Sequence, residues 1–402
     1  MYDRGWSRRD VLKALGIAGT SFELGNLLGC ATAQVSTTDI AASLAAIKAE
    51  PVVFPKLREN KVQPPERGCL VGFYTTYWRE QDMGLMRLRP DLAYRGNSIE
   101  GLAATVKSQA FQDFWNSFDF PGRVGNNIED RKAHLGRKPA VMAFMGPHAW
   151  YTNFPTGEAT RLAQQGIIPY VYMGSFSQPK PSLRMELADI IKGRYDNLIG
   201  DVARQAKEFG DTFGGFFVTT LHEMNGSWFY WGQSSRYVDT WRRMVDVFEK
   251  SGANQYATWV WYFACPEANQ QTDHPDRYYP GDDYVDWIGF SAYNRDMLPN
   301  THKPFEALIG QSYTDMSERH FTKPMMMSES GKTTGSDQAK FIAGAYLSLK
   351  RMPRMKAAIL WDHVSFGPLS PGIEGDDKTL TEQSWAVLRE IVKDPHFITA
   401  GQ

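Results

Sequence analysis

The chain reads as a (β/α)8 barrel, and three observations carry that reading. Eight short, nearly continuous apolar runs recur between residues 68 and 361, most of them are separated by a segment of helical spacing, and polar and aromatic residues collect just after the runs. Parallel strands covered on both faces lose the apolar-polar alternation of a half-solvated sheet, so continuous runs are what a barrel stave looks like in sequence. Active sites of such barrels sit where the strands end. An open doubly wound sheet is the alternative, but its Gly-rich dinucleotide fingerprint is missing after the first run.

The elements follow in order. Gly68-Cys69-Leu70-Val71-Gly72-Phe73-Tyr74 is the first strand, and a helical segment over 98–118 follows it. Residues 139–145 form the second strand, a helix over 158–165 leads to the third at 167–173, and 197–209 is a helix with Leu198, Val202, Ala206 and Phe209 on one face. The fourth strand starts at Gly215 and ends on Leu221-His222-Glu223. Residues 237–250 repeat the helical spacing through Trp241, Met244, Val245 and Phe248. Strands five to eight lie at 256–263, 285–291, 324–328 and 356–361, with a helix over 337–349 before the last.

Ahead of the barrel, residues 1–30 have the look of an export signal. Ser7-Arg8-Arg9-Asp10-Val11-Leu12-Lys13 resembles the twin-arginine signature, and Leu27-Leu28-Gly29-Cys30 after an apolar run resembles a lipobox, whose cysteine would take a lipid. The expectation is a protein that is periplasmic, lipid-anchored at the cell surface or secreted. Residues 31–67 have little periodicity apart from a helical stretch around 40–50 and read as a linker, with 68–402 as the barrel domain.

Composition excludes some partners. Lys and Arg number 44 against 45 Asp and Glu, and a face for nucleic acid or anionic membrane would need a basic excess. The one membrane contact expected is through lipid on Cys30, and the chain is expected to be a monomer. Cys30, Cys69 and Cys265 are too few and too scattered for a disulfide scaffold or a zinc site. Aromatic residues are abundant, with 12 Trp, 18 Tyr and 23 Phe, which suits a sugar cleft as well as a core.

The strand ends carry the chemistry. The second strand is followed by His148 and Trp150, and the fourth by His222, Glu223, Asn225 and then four aromatics in a row, Trp228-Phe229-Tyr230-Trp231. The sixth ends near Ser291, Tyr293 and Asn294, the seventh on Ser328 and Glu329, the eighth on Trp361, Asp362 and His363. Strands four and seven lie three staves apart in an eight-stave ring, so Glu223 and Glu329 can face each other across its mouth. Two opposed carboxyl groups in an aromatic cleft can hydrolyse a glycoside, one protonating the leaving oxygen and the other acting as an anion. His222-Glu223 is not the start of a zinc helix, because position 226 is Gly where a second His is required. Gly331-Lys332-Thr333 is not a phosphate loop, because position 326 is Met where a Gly is required.

Three stretches then resemble one family. Leu221-His222-Glu223-Met224-Asn225-Gly226-Ser227-Trp228 closely resembles the acid/base motif of glycoside hydrolase family 26, the β-mannanase family of the large clan of retaining barrels. Residues 278–293, from Tyr278 to Tyr293, resemble its sixth-strand region, and Lys323-Pro324-Met325-Met326-Met327-Ser328-Glu329 its nucleophile strand. The resemblance implies Glu223 as general acid/base and Glu329 as nucleophile. It also implies His222 beside the sugar at the cleavage subsite, Tyr293 hydrogen-bonded to the nucleophile, and Trp228 and Trp361 as sugar platforms. His148, Trp150 and Asn225 complete the expected sugar-binding set.

The implied activity is retaining hydrolysis of a β-linked polysaccharide, foremost as an endo-β-1,4-mannanase, with no metal or organic cofactor. The sequence departs from the family at Thr219-Thr220, where Arg-Pro is common, and at Ser330, where Phe or Thr is usual. Neither departure touches a carboxylate, so the chemistry is kept and the glycan preference is left open among mannan, β-1,3-xylan, β-glucan and the organism's own exopolysaccharide. A surface protein that only captures glycans is the reading from another class.

Overall fold

The computed structural model of the chain describes residues 36–75, 104, 108–110, 120–145, 153–173, 185–269, 271–295, 303–335, 337–362 and 378–401. Its strands are β1 (Cys69–Thr75), β2 (Val141–Met145), β3 (Ile168–Met173), β4 (Phe216–Thr220), β5 (Ala257–Ala264), β6 (Trp287–Asn294), β7 (Met325–Lys332), β8 (Met355–Leu360) and the short β9 (Phe397–Ile398). The helices are α1 (Thr37–Ala46), α2 (Phe120–Leu135), α3 (Thr156–Ala163), α4 (Leu187–Ile191), α5 (Asp196–Phe213), α6 (Tyr237–Lys250), α7 (Phe305–Arg319), α8 (Gln338–Arg351) and α9 (Glu382–Ile391).

The first eight strands are all parallel and pair in chain order, and β1 pairs with both β8 and β2, so the sheet closes into a barrel. Closure leaves no stave with a free edge. β9 adds alongside the first two residues of β1, Phe397 beside Cys69, below the point where β2 begins to pair. The fold class read from the sequence is therefore the observed one.

Alternate residues of each strand serve two cores. Leu70, Tyr74, Val141, Ala143, Tyr170, Tyr172, Phe217, Val260, Tyr262 and Met326 fill the barrel interior. Their neighbours Val71, Phe73, Met142, Phe144, Val171, Phe216, Val218, Trp259 and Trp261 face the helices. The interior is crowded with rings, and glycines make the room: a Cβ on Gly72 would stand 2.4 Å from Ile359, and one on Gly289 would stand 2.4 Å from Ser328 Oγ.

Residues 36–67 are not a free linker over their described length. Ser36 caps α1, accepting from Asp39 N–H at 3.4 Å, and the helix buries Ile40 and Leu44 in the helix-side core. Lys350 on α8 donates to the Leu44 carbonyl at 2.8 Å and to Asp394 at 2.6 Å, tying the end of α1 to the body. Further on, Val62 enters the interior cluster, its N–H donates to Thr258 Oγ1 at 2.9 Å, and Lys61 pairs with Asp286 at 2.6 Å. This segment covers the barrel where β5 and β6 begin. It has neither helical nor strand period, and so no pattern in the sequence that marks it as packed.

The helix expected over 98–118 lies largely outside the described residues, as do residues 1–30 with Cys30. Helices α2, α7 and α9 were not anticipated, and β6 and β7 continue to Asn294 and Lys332, beyond the expected ends.

Candidate active site

The site lies at the C-terminal mouth of the barrel and is built from β4 to β8. Glu223 follows β4 in a strained turn: Leu221 has φ 45° and Glu223 has φ 51°, a left-handed conformation unusual for side chains of this size. The turn is pinned from the neighbouring strand. Glu223 N–H donates to the Tyr262 carbonyl at 2.9 Å, and the Glu223 carbonyl accepts from Gly226 N–H at 3.0 Å.

Asn225 does the rest of that pinning. Its amide donates to the Ala264 carbonyl at 2.8 Å and the Asp273 carbonyl at 3.1 Å, and its oxygen accepts from Ala264 N–H at 3.0 Å. Expected among the sugar-binding residues, Asn225 is instead fully buried with its amide engaged on backbone, so it shapes the loop rather than touching a ligand.

Glu329 reaches the mouth by a different device. Along β7, Met326 points inward and Met327 outward, so simple alternation sends Ser328 in and Glu329 out. Register breaks there: Phe290 pairs with Met327, but Ser291 pairs with Glu329, and the pairing with β8 slips over the same residues. This β-bulge lets two successive side chains face inward. Ser328 Oγ bonds the Tyr170 hydroxyl at 3.1 Å deep in the interior, and Glu329 Oε2 accepts from the Tyr293 hydroxyl at 2.5 Å.

The carboxyl groups share their surroundings. The Tyr262 hydroxyl donates to Glu223 Oε1 at 3.5 Å and also favours the charged form of Glu329. Ser291, the register partner of Glu329, favours the charged form of Glu223, whose Oε2 accepts from Trp228 Nε1 at 2.8 Å. Glu329 Oε1 has no hydrogen-bond partner among the described residues.

Burial pushes both carboxyl groups above the usual carboxylate range. For Glu329 the push reaches about 8, burial being the larger cause and the charge of Glu223 the second, against the opposing donors Tyr293 and Tyr262. Glu223 is also raised by burial, with Ser291, Trp228, Arg295 and Tyr262 favouring its charged form. Because the Glu329 shift includes the charge of Glu223, it describes the last proton of the pair. Each of the two thus holds a proton more tightly than a free carboxyl group does, Glu329 partly because of the charge on Glu223.

Aromatic groups complete the floor. His222 lies stacked on Tyr262 with ring centres 5.4 Å apart and edge-on to Phe229 at 4.9 Å. Burial lowers its imidazole to about 3, so it is neutral at any working pH. Trp361 is 8 % exposed, stacks on Tyr74 at 4.2 Å and stands edge-on to Tyr293 at 6.2 Å. Trp228 is 38 % exposed. Behind Trp361, Asp362 is buried and paired with Arg131 of α2.

The structure thus brings Glu223, Glu329, His222, Tyr293, Trp228 and Trp361 to one mouth, while His148 and Trp150 lie outside the described residues. Sequence reasoning missed Tyr262, which shares inward parity with Val260 on β5, and also Arg295 and Lys378, whose charged groups lie 4.6 and 4.8 Å from the centre of the Tyr293 ring. Lys332, from the rejected phosphate-loop stretch, is buried and sits 3.3 Å from Asp337.

Residues 183–342, which span both carboxyl groups, match the model of Glycosyl hydrolase family 26. Endoglucanase H of Acetivibrio thermocellus is 28% identical over 187 residues, 44% of this chain and 20% of that protein. A mannan endo-1,4-beta-mannosidase of Bacillus subtilis is 27% identical over 199 residues, 47% of this chain and 49% of that protein. The chain thus spans a fifth of the first relative and about half of the second. Among solved structures, a ruminal endo-beta-1,4-mannanase aligns with TM-score 0.53 and 17% identity over 89% of this chain and 71% of its own. A Bacillus subtilis mannanase aligns with TM-score 0.51 and 17% identity over 92% and 94%. At such identity the structural likeness speaks for the barrel alone. The family model and the sequence relatives agree with it: over residues 183–342, the stretch that carries both carboxyl groups, this chain is similar to glycoside hydrolase family 26.

Proposed function

We propose that the chain is a retaining hydrolase of β-linked polysaccharide, an endo-β-1,4-mannanase, with Glu223 as general acid/base and Glu329 as nucleophile. The observation that carries the reading is the meeting of two carboxyl groups at the barrel mouth, Glu223 after β4 and Glu329 on β7, close enough that the charge of one raises the proton affinity of the other. In the first step Glu329 attacks the anomeric carbon while Glu223 gives its proton to the departing glycosidic oxygen, forming a glycosyl ester on Glu329. In the second, Glu223 takes a proton from water, the water oxygen attacks the same carbon, and the Glu329 carboxylate leaves. The cycle needs one proton between the two groups, and the reacting form carries it on Glu223.

The Tyr293 hydroxyl would hold Glu329 Oε2 and leave Oε1 for the sugar. Trp228 would orient Glu223 through its indole N–H while offering its exposed ring to a sugar face. His222, kept neutral, would exchange hydrogen bonds with sugar hydroxyls and take no part in proton transfer. Mannan is favoured over glucan because four of the five sequence relatives carry the mannan endo-1,4-beta-mannosidase name and one is an endoglucanase. Thr219 and Thr220, fully buried on β4 where Arg-Pro is common in the family, support keeping β-1,3-xylan, β-glucan and the organism's own exopolysaccharide as second substrates.

Export with lipid on Cys30 belongs to the same proposal, on the strength of the Arg8-Arg9 and Leu27–Cys30 stretches. The deciding experiment is product analysis of the purified protein on mannan, glucomannan, β-1,3-xylan and mixed-linkage glucan, with the anomeric configuration of the first product followed by proton NMR. Short oligosaccharides of retained β configuration from mannan support the reading; no release from any of the four would end it.

A further inference from the structure

Lys378 is the least expected charge at the mouth. It lies between β8 and α9, is 1 % exposed, and places its Nζ 4.8 Å from the centre of the Tyr293 ring. A cation held over a phenol ring is attracted by the ring face, and the attraction grows as water is excluded. The hydroxyl of that ring is the one that donates to Glu329 at 2.5 Å.

Two contacts hold the lysine there. Its stem passes so near β7 that a Cβ on Gly331 would stand 3.0 Å from Lys378 Cδ, so a glycine at 331 is what admits it. Its backbone carbonyl accepts from Gln338 Nε2 at 3.5 Å, an amide that also donates to the carbonyls of Lys332 at 3.1 Å and Thr379 at 3.2 Å. Gln338 is itself fully buried and accepts from Thr381 N–H and Ser384 Oγ at 2.9 and 2.8 Å. The end of β7, the start of α8 and the segment after β8 are thus locked together through one side chain.

We propose that Lys378 is a positioning residue for the nucleophile, steadying the Tyr293 ring and supplying a fixed positive charge that favours the ionised form of Glu329. The proposal rests on reading Glu329 as the nucleophile. Other groups surround that carboxyl: Glu223 after β4, Tyr262 on β5, Tyr293 on β6, and Tyr170 and Tyr172 on β3, while Arg295 on β6 lies over the Tyr293 ring and acts on Glu223. Of these, Glu223 raises the affinity of Glu329 for its proton, while Tyr293, Tyr262 and Lys378 lower it.

The test titrates Glu329 directly, so it does not depend on the substrate. Full-length protein labelled with 13C at the glutamate carboxyl is followed by NMR from pH 4 to 10, the Glu329 signal being the one lost in Glu329→Gln. In Lys378→Met the midpoint is expected to rise by about one pH unit, a tenfold tighter hold on the proton. Lys378→Arg keeps the charge and is expected to stay within about 0.3 unit of the parent. Lys378→Gln is the second neutral variant, should the Met substitution fail to fold. The pH profile of kcat/KM on the best polysaccharide is expected to move alkaline by the same amount in the neutral variants and not in Lys378→Arg.

A Glu329 midpoint unmoved in the folded neutral variants overturns the proposal. So does an equal shift in Lys378→Arg, or a failure of both neutral variants to fold, either of which leaves the lysine a purely structural part. If the midpoint moves as expected while the parent protein hydrolyses none of the four glycans, the electrostatic role stands and the enzymatic reading falls.

Discussion

Tyr262 holds Glu223 twice: its carbonyl accepts the Glu223 N–H at 2.9 Å, and its hydroxyl reaches the Glu223 carboxyl at 3.5 Å. The first contact fixes a backbone with positive φ, the second touches the proton-carrying group, and the same hydroxyl favours the charged form of Glu329. Tyr262→Phe keeps the backbone bond and the ring stacked on His222 but removes the hydroxyl donor to Glu223. We expect kcat/KM to fall about tenfold with stability close to the parent. Steady-state kinetics beside a thermal melt would check this, and a loss of fold would show that the hydroxyl has a structural role instead.

Glu329→Gln is expected to lower kcat by at least about a thousandfold, since no covalent intermediate can form. Its effect on stability has a predictable sign. A carboxyl raised from 4.5 to about 8 binds its proton more tightly in the folded state, so the protein loses stability as pH rises through that interval. The amide avoids the cost, and we expect the variant to be more stable than the parent by about 1–2 kcal/mol at pH 8 and equal to it at pH 4. Urea unfolding at the two pH values reads the difference.

The pair should give a bell-shaped pH profile. The acid limb, where the first of the two protons leaves, is expected above the ordinary carboxylate value of 4.5, and the basic limb, where the last one leaves, near about 8. Because the charge of Glu223 is one cause of the Glu329 shift, Glu223→Gln should bring the Glu329 midpoint down. Carboxyl NMR of that variant measures it, and an unchanged midpoint would mean the two groups do not feel each other.

Glu223→Ala separates acid catalysis from the rest. Aryl glycosides with acidic leaving groups need little protonation, so they should retain far more of their rate than polysaccharide, by about a hundredfold or more. A parallel loss on both substrates would remove Glu223 from the acid role.

Asn225→Ala removes three hydrogen bonds from a fully buried amide and leaves the Ala264 and Asp273 backbone groups without those partners. We expect a destabilisation of about 3 kcal/mol, and a kcat loss because the Glu223 turn loosens. A denaturant melt and kcat measured together test it; a variant as stable as the parent but with a raised KM would restore Asn225 to the sugar-binding set.

The barrel was legible because its staves are short apolar runs at regular spacing, and the site because its carboxyl groups stand at the ends of two of them. What escaped the reading had local causes. Lys61 and Val62 reach the barrel from a stretch without any period, and α2, α4, α7 and α9 fall in no expected element. Tyr262 sits mid-run among Trp259, Trp261 and Phe263, where only knowledge of which face points inward distinguishes it from a core ring. Asn225 looked like a ligand group because a buried amide and a sugar-binding amide are the same residue in sequence; the hydrogen-bond partners differ only in space. Lys378 lies after the last barrel strand, in no motif, and its place over Tyr293 is made by Gly331 and Gln338, far earlier in the chain.

The extra residue in β7 has a consequence for how the chain tolerates change. Two-residue periodicity would oblige this stave to choose between a serine supporting the lower tyrosines and a carboxylate at the rim; the irregular step lets it present both. Removing Ser328 would restore even pairing with β6 and draw Glu329 down into the tyrosine layer, so the chain could still close its ring yet lose its reactive group. Shortening by one residue at this spot should thus cost chemistry before it costs architecture.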